Sequence, residues 1–77
     1  MSAAELHNRL AREFATKLVK EVIETGGGHA DIMVVLESII VAVMILNNQV
    51  FGMADRVAVE LVDSAVHRAT ERFIEQQ

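Results

Sequence analysis

Cysteine, proline, tryptophan and tyrosine are all missing from the 77 residues, and three phenylalanines are the only aromatics. Without cysteine there is neither a disulfide framework nor a thiolate metal site, which suits a reducing compartment, and a cytoplasmic location is expected. The lack of proline and the few aromatics fit a helical bundle better than a sheet. Basic residues are also scarce. Seven Lys and Arg against eleven Asp and Glu leave a net charge of −4, which disfavours unspecific attraction to nucleic acid or anionic lipid. The first residues hold no cationic segment leading into an apolar one, so no secretory signal is expected.

What the chain has in excess is apolar side chains, 52% of all residues. A chain this short makes one domain, near the size that buries only about 60% of its unfolded surface. Such chains commonly enlarge their core by oligomerising.

The excess is concentrated in Ile32–Leu46, IMVVLESIIVAVMIL, broken only by Glu37 and Ser38. The run is too long for an ordinary strand and contains no glycine, so it predicts a helix despite its β-branched residues. At 100° per residue, Ile32, Leu36, Ile39, Val43, Leu46 and Val50 share one face. A second stripe on roughly the opposite side holds Val34, Glu37, Val41, Met44, Asn48 and Phe51. A helix apolar all round is one that is covered on every side. Fifteen residues rise about 22 Å, short of a bilayer core of about 30 Å. Glu37 would also lie within that core, at a cost of about 2.5–3.5 kcal/mol. The expectation is a core helix and no membrane contact.

Ser2 with Glu5 three positions on has the pattern of a capping box and starts the first helix. Leu6, Leu10, Phe14, Leu18 and Val22 give that helix an apolar face, and Glu5–Arg9 and Glu13–Lys17 are i,i+4 pairs in the favourable order. Gly26-Gly27-Gly28 should end it, with one glycine as a left-handed cap. A second helix starts near Asp31, whose charge suits the positive helix end, and runs to about Val50 before Gly52. Met53 onward predicts a third, with Ala54, Ala58, Leu61, Val62, Ala65 and Phe73 in its apolar arc.

Together these spans predict an all-α fold, a three-helix antiparallel bundle with helices over about 3–25, 30–50 and 53–75. The first and third helices have a polar face for water and the second does not. Its second stripe, Val34, Glu37, Val41, Met44, Asn48 and Phe51, is therefore the expected interface. A homo-oligomer would complete the burial of the central helix, most simply a twofold dimer. A larger assembly or a different protein partner would serve the same end.

The candidate chemistry is thin. Glu37 stands among aliphatic residues where an unpaired carboxylate is costly. It either contacts a ligand or, as isolated polar core residues do in coiled coils, fixes the register of an interface, and register is favoured. Glu60, Asp63, His67 and Glu71 share one helical face and could hold a divalent ion. Di-iron bundles, however, place Glu and Glu-x-x-His toward the interior, and this arc is the polar, outward one, so a solvated face is preferred. His7 sits in the apolar arc of the first helix, where a rim position is the ordinary reading. The three glycines before a helix suggest a phosphate loop, but no strand precedes them and the Gly-Lys-Ser/Thr ending is missing. Met33, Met44 and Met53 fit core positions better than an adaptable binding surface. No Ser-His-Asp or Cys-His arrangement is present and no basic recognition helix emerges. The expectation is a non-enzymatic module without cofactor, acting through protein–protein contacts as a small regulator or adaptor. The alternatives are a carrier or sensor of a small apolar ligand bound near Glu37 and, more weakly, a metal-binding protein built on Glu60–Glu71.

Overall fold

The computed structural model describes residues 2–77. It contains three α-helices, α1 (Ala3–Glu24), α2 (His29–Phe51) and α3 (Asp55–Glu75), and no strand among the described residues. The all-α expectation holds, with helix ends within two residues of those expected.

The caps explain where the helices begin and end. The Glu5 backbone N–H donates to Ser2 Oγ at 3.1 Å, opening α1 as the Ser-x-x-Glu spacing predicts. At the other end Gly26 adopts φ +83°. The Gly26 N–H donates to the Ile23 carbonyl at 3.0 Å and the Gly27 N–H to the Val22 carbonyl at 2.9 Å, a Schellman closure. At Gly27 a Cβ would come within 2.8 Å of Val22 Cγ1 and 2.9 Å of Asp31 Oδ2, so a larger residue would have to push these side chains aside. The Asp31 carboxylate then reaches back to accept the Gly28 N–H at 2.9 Å, capping α2 from its first turn.

The turn between α2 and α3 is held by a side chain. Gly52 has φ +64°. Asn48 Nδ2 donates to the Met53 carbonyl at 2.8 Å and to Asp55 Oδ1 at 2.9 Å. Met53 and Ala54 therefore belong to the turn, and α3 starts at Asp55 rather than at Met53.

Two compact units divide the chain, one up to Leu36 and the other Glu37–Gln77. In the first, Leu18, Val22 and Ile32 are half-buried around the glycine turn, while Leu6, Leu10 and Phe14 on the same face of α1 stay exposed. In the second, Ile40, Met44 and Asn47 of α2 are half-buried, as are Met53 and Val62, and Ala58 is buried at 2% exposure. Ala58 is the one buried residue among those described.

The expected burial of the central helix is thus not achieved by a single chain. No residue of α2 is buried, and eleven of its large apolar side chains are exposed. Leu36, Ile39, Val43, Leu46 and Val50, the face expected to meet the chain's own helices, are among them. The reason is geometric: each unit sets only one neighbouring helix against α2, and one neighbour covers a fraction of a helix that is apolar all round.

Candidate functional site

The sequence places the candidate site on α2, and the structure divides the expected stripe in two. Val34 is 60% exposed, Val41 54% and Phe51 74%, and Glu37 is exposed beside them. Met44 is half-buried on the side of α3, and Asn48 is engaged by the turn through both of its hydrogen bonds. Residues three and four apart on a helix share a side. Ile40, Met44 and Asn47 therefore mark the side of α2 that α3 covers, and Asn48 extends it. The role of Asn48 escaped sequence reasoning, although an amide four residues before Gly52 was a legible signal for a side chain spanning the turn.

Glu37 makes no hydrogen bond or ion pair among the described residues and has solvent within reach. In the single chain its carboxylate needs no partner. Beside α3 lies a hollow of about 420 Å³ lined by Met44, Ile45, Asn48, Gln49, Asp55, Ala58 and Val59. Glu37 is not part of that lining.

Three of the four candidate ligands on α3, Glu60, His67 and Glu71, are engaged in pairs. Arg56 Nε lies 3.1 Å from Glu60 Oε1, and His67 Nε2 lies 2.8 Å from Glu71 Oε1, a pair that is ionic when the imidazole is protonated. No three His, Asp or Glu side chains gather to hold a metal ion among the described residues. Successive members of the Glu60, Asp63, His67, Glu71 series climb the helix by about 4.5–6 Å, so one helix alone does not bring three of them to a common point. On α1, Arg9 pairs forward with Glu13 at 3.1 Å instead of back to Glu5. Both partners sit four residues away, and such exposed pairs differ by only a few tenths of a kcal/mol. His7 is exposed. At the glycine turn Asp31 already supplies a negative oxygen to the backbone, in the place a phosphate loop would offer to its anion.

By length and composition α2, at 23 residues, is also long and apolar enough to cross a membrane. Its rise of about 35 Å exceeds the thickness of a bilayer core, and the extra length comes from the polar ends that flank the apolar run. No family model matches the chain, and neither does any characterised protein or solved structure.

Proposed function

We propose that the chain is a non-enzymatic, cytoplasmic helical module that self-associates through α2 and acts through protein–protein contacts, as a small regulator or adaptor. The observation that supports this reading is the uncovered central helix: eleven large apolar side chains exposed on α2 and none of its residues buried. Monomeric soluble proteins rarely leave so continuous an apolar surface in water. A second copy supplies the missing cover, and the assembled pair is the antiparallel bundle with a buried centre that the sequence pattern calls for. In the pair the exposed, charged faces of α1 and α3 remain free to meet a partner.

Size-exclusion chromatography with light scattering, on protein purified without detergent, tests the reading. A mass of twice 8.5 kDa or a higher multiple is expected, and a stable folded monomer at micromolar concentration would refute it. The length and hydropathy of α2 favour one other reading, a membrane-inserted helix. It predicts that the chain sediments with membranes and resists alkaline extraction, whereas self-association in water predicts that it stays in the supernatant.

A further inference from the structure

We infer that the hollow between the end of α2 and the start of α3 is a binding site for a small primary amine with an apolar body, its ammonium held by the Asp55 carboxylate. All of its lining residues lie in the second unit, Glu37–Gln77. The inference does not rest on the self-association reading.

Shape and lining come first. The hollow measures about 420 Å³, within the range of small-molecule sites. Met44 and Ile45 of α2 and Ala58 and Val59 of α3 give it apolar walls, which suit a hydrocarbon body. Its polar groups are few and held in place. Asn48 Nδ2 donates to the Met53 carbonyl and to Asp55 Oδ1, so both amide hydrogens are engaged and Asn48 Oδ1 is left as an acceptor. Asp55 is thereby fixed through one carboxylate oxygen at 2.9 Å, and its other oxygen has no partner among the described residues.

Charge selects the ligand. No Lys or Arg lines the hollow, and α2 contains neither. Arg56, next to Asp55 in the chain, is paired with Glu60 at 3.1 Å. The second unit holds six Asp and Glu against three Arg, a net charge of −3 with His67 neutral. A cation is drawn to such a surface and an anion is repelled. Two helix ends also meet at the hollow, the carbonyl end of α2 and the N–H end of α3. Each carries about half a charge, of opposite sign. They offset one another, and the full charge of Asp55 decides.

An ammonium fits these groups better than a bare metal ion does. One carboxylate and an amide oxygen fall short of the oxygen set a hard cation requires, and apolar walls give a hydrated ion nothing. An ammonium has three donors, for the free Asp55 oxygen, for Asn48 Oδ1 and for water, and the bond to the carboxylate is charge-assisted. Its apolar body then lies against Ile45 and Val59, both exposed in the free chain.

The probe is phenethylamine, titrated into the isotope-labelled full chain and followed by its backbone amide shifts. Phenethyl alcohol and hydrocinnamate serve as neutral and anionic counterparts of similar shape. Saturable shifts, largest within residues 44–59, are expected for the amine. The alcohol should bind about fivefold more weakly, the scale of one exposed ion pair, and the anion more weakly still. Added salt should narrow the gap between amine and alcohol. Asp55→Asn keeps an oxygen for the Asn48 clamp and removes the charge, so the amine should then bind no more tightly than the alcohol. Gln49→Lys places a resident ammonium in the lining, at an exposed position in the last turn of α2 where a cation suits the helix end. It should weaken the amine at least fivefold with helical circular dichroism unchanged. Equal affinity for the three probes, shifts largest outside residues 44–59, or no saturation would overturn the site. So would a Gln49→Lys chain that binds the amine as the parent does. Light scattering on the same samples reports self-association separately, so either reading can fail without the other.

Discussion

Single residues account for most of what is sharply defined in this chain, and they do so at turns. Asn48, one of the residues expected at an interface, spans the α2–α3 turn with two hydrogen bonds. Asn48→Ala should therefore destabilise the fold by about 1 kcal/mol, the usual net worth of such bonds. Urea unfolding would measure the loss while light scattering shows the same mass as the parent chain. Gly26, held at φ +83°, is required by backbone geometry. Gly26→Ala should lower stability by about 1 kcal/mol, read as a lower melting temperature with no change in helicity at 20 °C or below. Both effects were partly legible, since glycine after a helical stretch marks a cap and an amide near a glycine marks a turn. The partners of Asn48 were not legible, because hydrogen bonds five and seven residues along depend on how the turn folds.

At the scale of the helix, α2 departs from an ordinary amphipathic element. Most of the expected start and stop signals held, Ser2 for α1, the glycines and Asp31 for the first turn and Gly52 for the second, while α3 began two residues later than expected. These are local effects, each decided within about one helical turn. Which side of α2 meets α3 is not local. Ala58, at 2% exposure, marks the one place in the second unit where the helices close tightly. Ala58→Leu should overpack it and cost about 1–3 kcal/mol, seen as a fall in the unfolding midpoint. Glu37→Leu tests the stripe of α2 through Val41. If that stripe is the interface, the variant loses a register-setting carboxylate and yields a mixture of masses, while the helical signal persists and stability is equal or higher. A sharp loss of folding would show that the carboxylate has an indispensable paired role.

For the whole molecule, stability and association become one quantity. A chain that leaves Ala58 as its one buried residue among those described has little core to hold it folded alone, so its melting temperature should rise with protein concentration. Calorimetry over a hundredfold range of concentration would show the shift, and a constant midpoint would count against self-association. Sequence alone determined the three helices, their ends to within two residues and the surplus of apolar side chains, because caps, glycines and hydropathy act over short distances. It did not determine which side of α2 is covered. A helix that is apolar on every side has no periodic signal pointing anywhere, so direction had to come from tertiary structure. The Asn48 clamp and the half-burial of Ile40, Met44 and Asn47 supplied it, through the approach of α3.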